Sequence, residues 1–184
     1  MAGPPERFAA TRRGEAVVID TPRLLIRLPL DDDASAYYEI HADPEVTKWL
    51  GGPQPNSVES ERERIGSRRA MHDELGYTMW TAEEKESREV VGLAGLFPVE
   101  KKGPEVEVAY HFRRDRWGRG YATEAARACL DYGFETLGLP AIIGLVAPGN
   151  SASIRVLEKC GMRRAGTAHH YDRDLLKYVT ERPG

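Results

Sequence analysis

The sequence has little cysteine, no excess of charge of either sign and no long apolar run, and each shortage excludes a class of protein. The only two cysteines, Cys129 and Cys160, have no Cys or His at the spacing of zinc ligands, so the sequence predicts no metal site and a reducing, cytoplasmic setting. The net charge of −3 gives no reason to expect a nucleic-acid partner. No window approaches the roughly 18 uninterrupted apolar residues of a membrane span, so no membrane partner is expected.

The 184 residues, with 41% hydrophobic and 30% charged side chains, are typical of one soluble globular domain. Residues 1–16 are rich in Ala, Gly, Pro and Arg, and this composition predicts a mobile N-terminal arm. We therefore expect a single domain over residues 17–184.

Apolar periodicity and turn residues predict an alternation of strands and helices. Asp31 to Asp33 are expected to supply capping carboxylates for a helix that ends at Ala42, and the charge of the helix after Ser57 is expected to form mostly a solvated face. The predicted strands are 24–28, 76–83, 89–98, 105–112, 141–147, 164–169 and 175–180, and the predicted helices are 31–42, 57–75, 123–137 and 151–160. This order predicts an α/β (α+β) fold with a single mixed, mostly antiparallel central sheet flanked by helices.

The most informative segment is the turn Trp117-Gly118-Arg119-Gly120-Tyr121-Ala122, which lies between a predicted strand and a predicted helix and is called the phosphate turn below. Its two glycines allow the backbone to turn tightly and to present N–H groups at a helix N-terminus, where the helix dipole favours an anion. Taken alone, two glycines in this position are more often a plain turn. The turn is neither a P-loop nor a dinucleotide fingerprint, because no Gly-Lys-Ser/Thr follows and the third glycine is missing.

The phosphate turn, the following Thr123-Glu124-Ala125 and the downstream segment 150–162 resemble the GNAT superfamily of acyl-CoA N-acyltransferases. The likeness is closest to its ribosomal-protein alanine N-acetyltransferase branch, which segments 21–27 and 43–46 also resemble. The resemblance implies a GNAT-like fold, acetyl-CoA as cofactor and transfer of an acetyl group to a primary amine. Many members of the superfamily dimerise, so a homodimer is an expectation that no feature of this sequence tests.

The resemblance also implies the residues that bind the cofactor. The pyrophosphate would lie on the main-chain N–H groups of the turn, and the pantetheine arm along the main chain of residues 110–112, like an added strand. The first position of the superfamily's pyrophosphate motif is Arg or Gln, whereas this sequence has Trp117 there. The cofactor-binding residues expected on these grounds are Tyr110, Phe112, Trp117, Gly118, Arg119, Gly120, Tyr121, Ala122, Thr123 and Asn150.

Two residues are candidates for the chemistry of acetyl transfer. Glu107 matches a position that is often acidic in the ribosomal-protein branch and is the candidate base, although the alternation Glu105-x-Glu107 is equally compatible with an outward-facing side chain. Many superfamily members donate a proton from a tyrosine in the last helix, but here that position is Leu157. Ser153 is therefore the candidate donor to the departing thiolate, and hydrogen bonding at the helix N-terminus is its alternative role.

The acceptor amine stays open at this stage. A protein N-terminus is the first expectation, and a small molecule such as an antibiotic or a metabolite is the alternative, since one scaffold serves both. An acyl-CoA-binding module without turnover is a third reading. Trp49 is expected in a wall of the acceptor cleft, whereas Trp80 is expected in the core and Cys160 is expected to be a packing residue.

Overall fold

The computed structural model describes residues 9–10, 16–50, 54 and 57–182. These residues form one nine-stranded sheet in the order β1-β2-β3-β4-β5-β6-β7-β9-β8. The strands are β1 (Ala9–Ala10), β2 (Ala16–Asp20), β3 (Leu24–Arg27), β4 (Met79–Glu84), β5 (Val90–Pro98), β6 (Val106–Phe112), β7 (Ala141–Val146), β8 (Arg163–His170) and β9 (Arg173–Glu181). The helices are α1 (Ala34–Ala42), α2 (Pro44–Thr47), α3 (Val58–Leu75), α4 (Tyr121–Glu135) and α5 (Ser151–Lys159).

The prediction of a mixed, mostly antiparallel sheet flanked by helices is confirmed, because β6 and β7 form the one parallel pair among the described strands. Strands β1 and β2 were not predicted from the sequence, and β2 begins at Ala16, the last residue of the predicted arm. Only Ala9, Ala10 and Ala16 of that arm are described, and the prediction for the others lies outside the described residues.

Two apolar clusters cover the two faces of the sheet. One face packs against α4 and α5, and the central side chains of that cluster include Trp80, Leu96 and Leu157. The opposite face packs against α1 and α3, through a cluster that includes Tyr37 and Ile65. Side chains that alternate along one strand therefore reach two different helical layers. Trp80 is fully buried, as predicted.

The parallel strands β6 and β7 diverge almost at once. Their register contains one bridging pair, Glu107 with Ile143. On its other side β6 pairs with β5 from Val106 to Phe112, and the Arg113 N–H donates to the Val91 carbonyl at 2.9 Å. Because hydrogen-bonding direction alternates along an antiparallel pair, the main-chain groups of Phe112 point away from β5, toward the gap beside β7. The sheet therefore contains an open strand edge in its interior.

Asp33, the residue that precedes α1, caps the 3-10 turn Asp31–Asp33, since its carboxylate accepts the Leu30 N–H at 2.9 Å, but it does not cap α1 itself. Its side chain makes no cap hydrogen bond to that helix, and instead binds the buried Arg27 guanidinium through two contacts of 2.8 Å. A fully buried charge outweighs a cap, since an unpaired guanidinium in the interior is far costlier than an uncapped helix end.

The charges of helix α3 are mostly exposed, as expected, but one of them is buried. Glu61 has no exposed surface, and its carboxylate contacts the Nδ1 atom of His41 on α1. The other His41 nitrogen lies 3.3 Å from Nδ1 of His111 on β6. This polar chain links the two early helices to the strand that carries Glu107. Its partners are distant in sequence, which is why the charge pattern of α3 alone could not indicate it.

None of the described helices is long and apolar enough to cross a membrane. Within the same part of the chain, no three His, Cys, Asp or Glu side chains are grouped so that they could hold a metal ion.

Candidate acetyl-CoA site

The phosphate turn has the geometry of an anion site. Gly118 and Gly120 have φ angles of +74° and +82°, a region that favours glycine. Gly120 is the N-cap residue of α4 and provides no side-chain cap, so the first N–H groups of that 15-residue helix keep their hydrogen-bonding capacity for a ligand. A Cβ atom added at Gly118 would meet no atom within 4 Å, so the backbone here is open to an approaching group. The turn therefore fits the pyrophosphate of an acyl-CoA.

Arg23, which was not expected in the site, lies in the loop between β2 and β3 and stabilises the phosphate turn. Its guanidinium donates to the Arg119 carbonyl at 2.8 Å and to the Glu124 carboxylate at 2.7 Å, and it lies 4.5 Å from the centre of the Tyr121 ring. Burial would raise the pKa of Glu124, but hydrogen bonds from Thr21 and Arg23 outweigh it and the pKa falls below its usual value. The carboxylate next to the predicted pyrophosphate position thus stays ionised but paired.

Trp117 lies at the position where this sequence differs from the superfamily motif. It connects the phosphate turn to the open edge of β6. Its indole N–H donates to the Phe112 carbonyl at 2.9 Å, while 46% of the residue remains exposed. That carbonyl belongs to the segment where the pantetheine arm is expected. The indole occupies one lone pair of the Phe112 carbonyl. The Phe112 N–H and the main-chain groups of Tyr110 are therefore the better hydrogen-bonding partners for the pantetheine arm.

Ser153 and Asn150 lie together at the start of α5. Asn150 is the N-cap, because its side-chain oxygen accepts the Ser153 N–H at 3.1 Å. The Ser153 hydroxyl is 2.8 Å from the hydroxyl of Tyr110 on β6. Burial raises the pKa of Tyr110, so this phenol keeps its proton. Only the main chain of Tyr110 was expected to contribute, whereas its hydroxyl also lies beside Ser153.

Glu107 is buried on the face of β6 that lies opposite the Val106 and Val108 side chains, with 8% of its surface exposed. It is the last residue of β6 that pairs with β7, so it lies where the open edge begins. Burial raises its pKa to about 7, although a hydrogen bond from Tyr171 acts in the opposite direction. Glu105, two residues earlier, forms an ion pair with Lys177 at the surface. Of the two acidic residues in this alternation, Glu107 is therefore the buried one.

Trp49, the residue predicted for a wall of the acceptor cleft, is contacted by Arg173 near the C-terminal end of the chain. The Trp49 carbonyl accepts a hydrogen bond of 2.8 Å from the Arg173 guanidinium, and a Cβ atom placed on Gly149 would lie 3.8 Å from the Trp49 ring. Trp49 thus lies beside the loop that leads into Asn150 and α5. Arg173 and Tyr171 gave no signal in the sequence, because neither belongs to a motif and both act on residues far away in the chain.

Ionisation of Glu107 should make the stability of the protein depend on pH. Its pKa is raised from 4.5 to about 7 in the folded state, so the stability linked to its proton is fully present below about pH 4.5 and is lost as the pH rises to about 7. A shift of this size corresponds to roughly 3 kcal/mol. We therefore expect Glu107→Gln to raise the thermal unfolding midpoint, relative to the native protein, more at pH 8 than at pH 5. Glu105→Gln is the control, and an equal change at both pH values would contradict a buried ionisable Glu107.

Comparison with known proteins agrees with this geometry. The GNAT acetyltransferase domain profile matches residues 23–163. The Bacillus subtilis protein YkkB is 36% identical over 160 residues, which cover 86% of this chain and 92% of that protein. The uncharacterized N-acetyltransferase YoaA of the same organism is 30% identical over 154 residues, which cover 84% of this chain and 87% of YoaA. The crystal structure of a GNAT-family acetyltransferase from Bacillus anthracis superposes with a TM-score of 0.75 at 29% identity, covering 89% of this chain and 97% of that one.

The phosphate turn, the open edge of β6 and these relatives together lead to one assignment. The chain belongs to the GNAT acetyltransferase family and is an N-acetyltransferase that uses acetyl-CoA.

Proposed function

We propose that the protein acetylates the α-amine of a polypeptide N-terminus, with Glu107 as the general base. The observation that carries this proposal is the buried position of the Glu107 carboxylate at the start of the open edge of β6, where burial raises its pKa to about 7. A base is most effective when its pKa lies near the working pH, and burial brings Glu107 to that value.

The size of the pKa difference favours an α-amine over a lysine side chain. An N-terminal ammonium has a pKa of about 7.7 to 8.0, so passing its proton to a carboxylate of pKa about 7 costs roughly 1 kcal/mol. A lysine ammonium, with a pKa of about 10.4, would need roughly 4 to 5 kcal/mol for the same step. Glu107 is therefore matched to the less basic amine.

The other residues of the site support direct transfer without a covalent enzyme intermediate. Acetyl-CoA supplies the thioester carbonyl carbon that the free amine attacks. The phosphate turn binds the pyrophosphate, Glu107 takes the proton of the amine, and the Ser153 hydroxyl provides a proton for the departing thiolate. The second proton that the amine nitrogen loses as the C–S bond breaks restores the Ser153 hydroxyl, which the Tyr110 hydroxyl holds in place at 2.8 Å. Cys160 has no part in this scheme, since burial raises the pKa of its thiol.

The fold is compatible with both kinds of acceptor that the sequence analysis considered. Ribosomal-protein-S5-alanine acetyltransferase from Vibrio fischeri has a TM-score of 0.73 to this chain, and the aminoglycoside acetyltransferase AAC(6')-Ib has a TM-score of 0.72. They are 17% and 20% identical to it, so they share the fold and do not decide the acceptor. The pKa of Glu107 favours an α-amine over a lysine side chain, and the acceptor panel below compares the α-amine with a small molecule.

A thiol-release assay with a panel of acceptors tests the proposal. The panel contains peptides that begin with Ala or Ser, the same peptides with a blocked N-terminus and an internal lysine, and an aminoglycoside. We expect turnover with the free N-termini and at least tenfold less with the blocked peptides. Turnover of the aminoglycoside with inert peptides would overturn the acceptor assignment and would leave the family assignment intact.

A further inference from the structure

The turn between β8 and β9 places a tyrosine hydroxyl directly on the proposed base. The Tyr171 hydroxyl donates to Oε1 of Glu107 at 2.6 Å, and among the described residues no other group hydrogen-bonds this carboxylate. The same phenol oxygen accepts the Glu100 N–H at 3.1 Å. Since a phenol has a single proton and the Glu100 N–H can only donate, that proton is directed at Glu107. The polarity of the contact is therefore fixed by its surroundings.

The backbone of this turn is an uncommon one for a tyrosine. Tyr171 and Asp172 have φ angles of +54° and +56°, as the two central residues of a type I′ hairpin turn do. Such positions favour Asn and Gly, whereas a bulky side chain is strained there. A second contact holds the residue in place, because the Tyr171 N–H donates to the Glu100 carboxylate at 3.2 Å. A side chain kept in a strained position by surrounding contacts is an indication of a functional role.

The same hairpin also contacts the proposed acceptor wall. Arg173, two residues after Tyr171, donates to the Trp49 carbonyl at 2.8 Å. One short turn thus connects the base on β6 with the end of α2. A displacement of this turn would change both the orientation of the carboxylate and the position of Trp49.

We propose that Tyr171 is a positioning residue for the base: its hydroxyl holds Oε1 of Glu107 and leaves Oε2 as the oxygen that receives the proton of the amine. This inference rests on the proposed function, because it needs Glu107 to act as base. Tyr171 itself touches neither substrate in this scheme and acts through Glu107.

A pH profile distinguishes this role from a purely structural one. The neighbours of Glu107 in the sheet are Phe97 on β5 and Ile143 on β7, which do not titrate. From the hairpin, Tyr171 faces the carboxylate, and the charged groups next to that tyrosine are Glu100 and His170. The hydrogen bond from Tyr171 lowers the pKa of Glu107 against the effect of burial. Without that bond the pKa rises, so the low-pH limb of the rate profile must move to higher pH.

The experiment compares the native enzyme with Tyr171→Phe, once an acceptor is known. We expect the phenylalanine variant to lose on the order of tenfold in kcat at pH 7, to recover most of the loss at high pH, and to keep its KM for acetyl-CoA. Tyr38→Phe is the matched control, since the Tyr38 hydroxyl on α1 makes no hydrogen bond within the described structure, and its profile should equal that of the native enzyme.

A second variant separates catalysis from folding. Tyr171→Asn suits the left-handed backbone and also lacks the phenol, so we expect an unfolding midpoint no lower than that of the native protein together with the same displaced low-pH limb. If Glu107→Gln slows the enzyme while both Tyr171 variants keep the native profile, the positioning role is overturned and the base assignment stands. If Glu107→Gln is itself without effect, the base assignment fails, and the inference about Tyr171 fails with it.

Discussion

Gly120→Asp should abolish binding of CoA while the protein remains folded. The new carboxylate would lie at the N-cap of α4, where the uncapped N–H groups are expected to receive the pyrophosphate. Two unit charges about 4 Å apart repel by about 4 kcal/mol at an effective dielectric constant of 20, which corresponds to roughly a thousandfold loss of affinity. Thermal shift measures the effect, because a ligand at 100 times its Kd stabilises the native enzyme by about 2.7 kcal/mol.

Two controls separate charge from backbone strain. Gly120→Asn has the same shape and tolerates the same φ of +82°, so it should bind CoA more weakly than the native protein but much better than the aspartate variant. Gly138→Asp introduces the same charge at a φ of +67° beyond the other end of α4, and its CoA affinity should equal that of the native protein. A folded Gly120→Asp protein with native affinity would disprove the phosphate turn. Gly118→Ala is not a neutral control, because the φ of +74° makes a side chain there costly.

Glu107→Gln and Ser153→Ala should each reduce the acetylation rate by on the order of a hundredfold, but with different pH dependence. Loss of the base should be most severe at low pH, where the free amine is scarce, and should diminish as the pH approaches the pKa of the acceptor. Loss of the proton donor should lower the rate across the whole range. Affinity for CoA should be retained in both variants, since neither side chain belongs to the phosphate turn.

Each of these variants has a matched control nearby. For Glu107→Gln the control is Glu105→Gln, which removes the surface carboxylate that is paired with Lys177. For Ser153→Ala the control is Ser151→Ala, which removes an exposed hydroxyl from the first turn of α5. Both should keep native activity. Full turnover of Glu107→Gln at neutral pH would leave bulk water or another group as the base, and a silent Ser153→Ala would indicate that departure of the thiolate needs no donor from this residue.

Features that depend on neighbouring residues in the sequence were predicted well. The strand, the glycine turn and the helix around residue 118 follow from short-range propensities, and the structure has all three in that order. The helix that Ser57 begins was also expected, and its hydroxyl accepts the Ser60 N–H. Strand β2 was missed, because a strand of five residues near the side of a sheet is defined by its pairing with β1 and β3 rather than by a pattern of its own.

The sequence by itself determined the order of most of the elements, the phosphate turn and the set of residues that resemble the GNAT family, since each of these depends on residues close together in the chain. It could not decide whether Glu107 faces solvent or the interior, because a period of two places a residue on one face without saying which face is covered. Only the tertiary structure buried that carboxylate and brought Tyr171, 64 residues later, to its oxygen. The pKa near 7 results from the loss of water around the carboxylate, which outweighs the opposing hydrogen bond from Tyr171, and both effects arise only when the sheet and its helical layers pack together.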